Sequence, residues 1–274
     1  MSSVDDHLRA PADVDVSHAP SPAGFTVAII GCGKLGSAVL QGLLTPPRGN
    51  NDTQRPLKRI VVSVRTRDRA EQVSETVLAH ADHGSPPACP VEFVVGDNAA
   101  AARAADVVVL ACHPHQGRPL LAAPGMRDAI PNVAAARRRS VTVVGGGGRS
   151  AEVPDPGREV LRRIGTAVHV GPDRMPAATA LCASGTAFFS WFLDAIVDAA
   201  VAEGIERGEA TRMAALTMAG AAELVLAGQD PAAVTARVTT PGGATARGLA
   251  VLEENETRET VVRALRATAS KIRS

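Results

Sequence analysis

Residues 25–36, Phe-Thr-Val-Ala-Ile-Ile-Gly-Cys-Gly-Lys-Leu-Gly, constrain this chain more than any other stretch. An apolar run that stops at a glycine reads as a buried strand. Gly31, Gly33 and Gly36 then follow in the GxGxxG spacing that joins such a strand to a helix. The first glycine permits a tight turn, the second lets a phosphate approach the backbone, and the third lets the helix pack on the strand. Free N–H groups and the helix dipole favour an anion there. In this strand–turn–helix setting the spacing predicts a dinucleotide site made by Gly31, Cys32, Gly33, Lys34, Leu35 and Gly36.

Further strands are predicted at 59–64, 91–95, 106–111, 141–144 and 166–170, with helix-compatible stretches such as 34–44 and 67–80 between them. This alternation predicts a parallel sheet wound on both faces, a Rossmann-like α/β fold over 25–176. Beyond 176 the pattern is helical: 184–203, 208–227, a helix opening at Asp230-Pro231, then 243–254 and 257–270. Phe188, Phe189, Phe192, Leu193, Ile196 and Val197 line one side of the first of these. The apolar surface of 184–227 exceeds what one small bundle hides, so 177–274 is expected to be an all-α domain that pairs with a second copy.

Composition removes several classes of function. The 274 residues carry a net charge of +1 with acids and bases interleaved, so neither a nucleic-acid surface nor a membrane surface is expected. No apolar run is expected to approach the roughly 20 residues that cross a bilayer. Cys32, Cys89, Cys112 and Cys182 are scattered, which predicts free thiols and a cytoplasmic location. Residues 1–24 read as an acidic, proline-bearing disordered arm. The chain has no tyrosine, which excludes the usual Tyr–Lys chemistry of short-chain dehydrogenases. Its only lysines are Lys34, Lys58 and Lys271, so 177–270 lacks the lysine used by β-hydroxyacid dehydrogenases.

The end of the second strand selects the cofactor. It reads Ser63-Val64-Arg65-Thr66-Arg67, with no carboxylate before Asp68. A hydroxyl and guanidinium groups suit a 2′-phosphate, where an acid would select a free 2′-hydroxyl, so NADPH is expected over NADH. The fourth strand ends in Ala111-Cys112-His113-Pro114-His115, at the edge of the sheet that faces the cofactor. Two histidines without a third ligand make a weak metal site, so no metal is expected. That loop is expected to pack beside the nicotinamide ribose.

Val238-Thr239-Thr240-Pro241-Gly242-Gly243-Ala244-Thr245 forms a turn that leads into a helix. The amides of Gly243, Ala244 and Thr245 lack intrahelical partners there, and the Thr240 and Thr245 hydroxyls add donors. Taken locally, this is equally a carboxylate nest or an ordinary helix start.

Thr239–Leu252 (TTPGGATARGLAVL) is similar to the signature of pyrroline-5-carboxylate reductases. Leu181–Phe188 resembles that family's entry to its dimerisation helix, with Ala183 and Thr186 where the family usually has Gly and Pro. The glycine loop, Asp97-Asn98 and Ala111–Pro114 match in order. The resemblance implies NADPH-dependent reduction of the cyclic imine 1-pyrroline-5-carboxylate to proline by a homodimer or larger homo-oligomer. Carried over by position, it assigns Gly31–Gly36, Ser63, Arg65, Asn98, Ala111, Cys112, His113 and Pro114 to the cofactor. It assigns Thr240, Gly243, Ala244 and Thr245 to the imino-acid substrate, with Thr245 placed to bond the ring nitrogen as the catalytic group. Reduction of a different cyclic imino acid, or an inactive NADPH-binding dimer, are the other readings. The family's Met-Pro-Asn-Thr-Pro segment has no counterpart; Met175-Pro176-Ala177 lies where the family enters its helical domain, so one strand–loop unit is expected to be missing.

Overall fold

A computed structural model describes residues 24–45, 55–78, 89–111, 129–145 and 155–273. Strand β1 (Phe25–Ile30) is buried along its whole length, as a central strand covered on both faces must be. It pairs in parallel with β2 (Leu57–Val64) on one side and β4 (Val107–Leu110) on the other. With β3 (Val91–Val95) beyond β2, the order is β3-β2-β1-β4.

Helix α1 (Lys34–Leu44) and helix α2 (Arg67–Val73) cover one face; α2 continues as a π turn, Ser74–Leu78. The main core joins Val27 and Ile29 of β1 to Val39, Leu40 and Leu43 of α1 and Val73 of α2. On the other face Ala28, Ile30 and Val61 pack against Ala101 of α3 (Asn98–Arg103). At the base of the sheet the Asp106 carboxylate accepts the Thr26 amide at 2.8 Å.

A second sheet of three strands holds β5 (Ala129–Ile130), β6 (Ser140–Gly145) and β7 (Gly165–Val170) in that order. The β6–β7 pair is parallel, joined across helix α4 (Gly157–Ile164), whereas β5 runs antiparallel to β6. The expected parallel pairings are present, but the strands divide into two sheets rather than one, and a short antiparallel strand is added to the second. Glu159 and Arg163 of α4 form a buried ion pair at 3.1 Å. Arg163 also donates to the Arg55 carbonyl at 2.7 Å, and its own carbonyl accepts Arg138 Nε at 2.9 Å.

No strand follows Val170 among the described residues. An unbroken helix, α5 (Pro172–Ala202), runs through a π turn at Ala180–Ser184. Helices α6 (Arg207–Leu226), α7 (Pro231–Val238), α8 (Ala244–Glu254) and α9 (Thr257–Arg273) complete the chain. Helix α5 corrects one expectation: an 18-residue window within its 31 residues is long and apolar enough, by length and composition alone, to cross a bilayer. The helix starts twelve residues ahead of the expected 184. Most of its apolar flank is uncovered, with Trp191 68% exposed and Leu226 of α6 85% exposed. The two halves are joined at Asn132, whose Nδ2 donates to the Cys182 carbonyl in the π turn at 2.8 Å. Its Oδ1 accepts the Ala134 amide, and its own amide donates to Ser140 Oγ.

Candidate active site

Each glycine of the first loop occupies the place its assigned role requires. Gly31 has φ 85°, in the left-handed region that side chains avoid, and its amide donates to the Ser63 carbonyl at 3.0 Å. A Cβ on Gly33 would meet nothing within 4 Å, so the backbone there is open to a ligand. A Cβ on Gly36 would lie 2.3 Å from the Gly31 carbonyl oxygen and 3.2 Å from the Ala111 Cβ. That close approach seats α1 on the end of the sheet. Gly36→Ala is expected to push α1 off the loop, cost about 1–3 kcal/mol in stability and weaken dinucleotide binding at least tenfold. Thermal melting and cofactor fluorescence titration check both effects.

Cys32 is buried, with its thiol 3.6 Å from Ser37 Oγ. Burial pushes that thiol up from its ordinary range, against smaller opposing effects of Ser37 and Arg69. It is a packing group of the loop rather than a nucleophile. Lys34 is exposed, and Leu35 packs against the core.

At the end of β2, the buried Ser63 hydroxyl donates to Asn98 Oδ1 at 2.7 Å. Asn98 is held there because Asp97 caps α3, its carboxylate accepting the Ala100 amide at 2.8 Å. Two residues singled out from separate stretches of sequence thus meet. Arg65 and Arg67 are exposed, and no carboxylate among the described residues pairs with either. Ala111 continues β4, its amide donating to the Ile30 carbonyl at 2.9 Å. The assigned Cys112, His113 and Pro114, and with them His115, lie outside the described residues. No group of three or more metal-ligating side chains occurs among the described residues.

The second constellation opens helix α8. Gly242 has φ 72°, and the Gly243 amide donates to the Thr240 carbonyl at 2.9 Å, closing the turn. Gly243 itself is the N-cap and has no side-chain cap. A Cβ there would sit 2.4 Å from Thr240 Oγ1, so only glycine lets that hydroxyl lie over the helix start. The amides of Ala244 and Thr245 have no hydrogen-bond partner among the described residues.

Neighbouring helix starts are filled by the chain's own carboxylates. Asp230 accepts from Ala232 and Ala233 at the start of α7, and Glu206 from Glu209 at the start of α6. Amides hold the Glu206 carboxyl below the usual range, a direct sign of how such a terminus favours an anion. The start of α8 has the same donors and no carboxylate of its own.

Thr245 is exposed in the first turn of α8. Threonines deeper in these helices, such as Thr211, Thr217 and Thr268, donate back to the carbonyl four residues earlier. Thr245 has no helical carbonyl at that distance, and its hydroxyl has no partner among the described residues. The two constellations are each assembled locally, and among the described residues no hydrogen bond joins them. Helix α8 packs chiefly on α9.

Comparison with known proteins gives one consistent answer. Residues 172–274 match the family model for pyrroline-5-carboxylate reductase dimerisation, and 26–130 match that for NADP oxidoreductase, coenzyme F420-dependent. The first match covers helix α5 and supports self-association of this half. A pyrroline-5-carboxylate reductase of Acremonium sp is 42% identical, covering 91% of this chain and 93% of that protein. One from Neurospora crassa is 33% identical, covering 90% and 91%. The Acremonium alignment spreads over 299 positions, more than this chain's 274 residues, so the relative carries residues without a counterpart here.

Among solved structures, 1-pyrroline-5-carboxylate reductase of Streptococcus pyogenes is similar in fold, with a TM-score of 0.71 at 22% identity, covering 90% of this chain and 98% of that one. The Plasmodium falciparum pyrroline carboxylate reductase with NADP bound has a TM-score of 0.60 at 18% identity, covering 90% and 96%. An NADP-type α/β half followed by a self-associating helical half, with close relatives along nearly its whole length, makes this chain a member of the pyrroline-5-carboxylate reductase family.

Proposed function

We propose that this protein reduces 1-pyrroline-5-carboxylate to L-proline, with NADPH as hydride donor. The observation that carries the substrate end is the uncapped start of α8, whose amides at Ala244 and Thr245 await a carboxylate that neighbouring helices supply for themselves. The residues at the other constellation fit the cofactor: an open backbone at Gly33, a close helix seat at Gly36, and Ser63, Asn98, Arg65 and Arg67 at the end of β2 without an acid.

In this reading the loop 31–36 holds the pyrophosphate, while Ser63, Asn98 and Arg65 hold the 2′-phosphate. Ala111 leads into the nicotinamide side, where Cys112, His113 and Pro114 would follow. NADPH supplies the hydride; the chain's residues orient the acceptor. Thr240, Gly243, Ala244 and Thr245 grip the substrate carboxylate, and the Thr245 hydroxyl bonds the ring nitrogen as it becomes an amine. A protonated imine is already electrophilic, so placement rather than a strong acid carries the reaction. Self-association of the helical halves is the means by which the two constellations meet. The domain division 25–176 and 177–274 assigns cofactor to the first part and substrate and pairing to the second. Free Cys32, Cys89 and Cys182 support a reducing, cytoplasmic setting.

NADPH oxidation with racemic 1-pyrroline-5-carboxylate, with proline measured as product, tests the proposal. NADPH binding without turnover would identify an inactive homologue instead, and turnover confined to another cyclic imino acid would move the substrate. Arg65→Ala is expected to weaken NADPH by one to two decades, from a charged hydrogen bond of about 1.5–3 kcal/mol, and to leave NADH nearly unchanged. Equal loss for both cofactors would assign Arg65 to the fold.

A further inference from the structure

Arg69 links the two sides of the dinucleotide cradle, although nothing in its sequence neighbourhood marks it out from Arg65 and Arg67. It stands in the first turn of α2, where its amide donates to Thr66 Oγ1 at 3.3 Å. Its side chain leaves that helix and crosses to the glycine loop. Nε donates to the Cys32 carbonyl at 3.0 Å, and Nη2 donates to the same oxygen. Nη1 is steadied by Gln72 Oε1. The Ser37 hydroxyl adds a third donor to the Cys32 carbonyl at 3.5 Å. No carboxylate among the described residues forms an ion pair with Arg69, so its charge stays available to the loop.

The carbonyl that Arg69 grips belongs to the same planar peptide unit as the Gly33 amide. In a trans peptide the C=O and N–H point in opposite directions. Fixing the Cys32 oxygen toward α2 therefore aims the Gly33 N–H away from α2. That amide has no hydrogen-bond partner among the described residues, and the space around Gly33 is open. An anion-binding loop needs its N–H groups turned inward and its carbonyls turned away, because one misplaced carbonyl dipole would repel the phosphate.

We propose that Arg69 is a positioning residue for the cofactor: by holding the Cys32–Gly33 peptide, it presents the Gly33 amide to the pyrophosphate. The inference rests on the dinucleotide reading of this loop and deepens it. It separates Arg69 from Arg65, which is assigned to the 2′-phosphate. Loss of Arg69 must then weaken every ligand that carries a pyrophosphate and spare one that carries only a 2′-phosphate.

The experiment compares wild type with Arg69→Ala and Arg69→Lys in the full chain, titrating NADPH, 5′-ADP and 2′-AMP by NADPH fluorescence and its displacement. Arg69→Ala is expected to weaken NADPH and 5′-ADP by about tenfold or more, the loss of a charged hydrogen bond, and to leave 2′-AMP within about twofold. Arg69→Lys is expected to recover most of the loss, since an ammonium can donate to the same carbonyl. A fall for 2′-AMP as large as that for 5′-ADP overturns the proposal, and so does unchanged affinity for all three. Arg69→Gln, uncharged but similar in length, repeats the comparison where the alanine variant does not fold. Wild type that binds no dinucleotide removes the cofactor reading itself, whereas wild-type binding with an indifferent Arg69→Ala removes only this inference.

Discussion

Thr245→Val should lower kcat/KM for the cyclic imine by about 10²–10³ while leaving the fold intact. Valine keeps the branched shape and removes only the hydroxyl. If that hydroxyl bonds the ring nitrogen as charge moves off it, the loss resembles removal of an oxyanion-hole donor. The structure sharpens the contrast with a structural role. Gly243, not Thr245, holds the cap position of α8, and the Thr245 hydroxyl bonds no described residue. The melting temperature should therefore barely move, and NADPH affinity should stay near wild type. A loss confined to stability, with turnover per folded molecule unchanged, would show that Thr245 is an ordinary helix residue. Steady-state kinetics and thermal melting on the one variant separate the outcomes.

Glu159→Ala should give the largest stability loss, about 3–5 kcal/mol, because it strips a buried guanidinium of its counter-charge. The side chains of Glu159 and Arg163 are only 9% and 8% exposed. Burial pulls the Arg163 guanidinium down from its usual range, and Glu159 pulls it back up. Replacing both partners together, as Glu159→Leu with Arg163→Met, should recover much of the loss, since an apolar pair leaves no uncompensated charge. The Arg55 carbonyl, which accepts from Arg163, would lose that donor and limit the recovery. Urea unfolding of the single and double variants measures the difference; equal destabilisation by both would mean that the cost lies in packing rather than charge.

Much of this protein is legible along the chain because its strongest signals are local. Phe25–Ile30 announces a central strand by its apolar run, and the three glycines announce their roles by spacing. Asp230 before Pro231 announces a helix start, which the carboxylate then caps. Strand β5 left no trace, since two residues carry no periodicity. The residues 172–183 ahead of the paired apolar columns show weaker periodicity, so the first turns of α5 are not legible; Pro176 does not prevent them. It falls in the first turn of an α-helical stretch, where a missing N–H matters least. Arg69 was invisible as a site residue for another reason: its partner is a main-chain carbonyl 37 residues away, and no side-chain pattern encodes such a bond. The contrast between α8 and its capped neighbours also needed structure, because an empty cap is an absence at one place rather than a motif.

The bond from Asn132 to the Cys182 carbonyl bears on how this lineage could change its length. The carbonyl lies in a π turn, and a side-chain amide from the other half of the molecule donates to it. A contact between residues 50 positions apart thus ties the second sheet to the entry of the helical half. Closing a shorter or longer connection between fixed ends changes the free energy only slowly with length. A segment gained or lost between these two anchors is therefore expected to leave the tie itself in place.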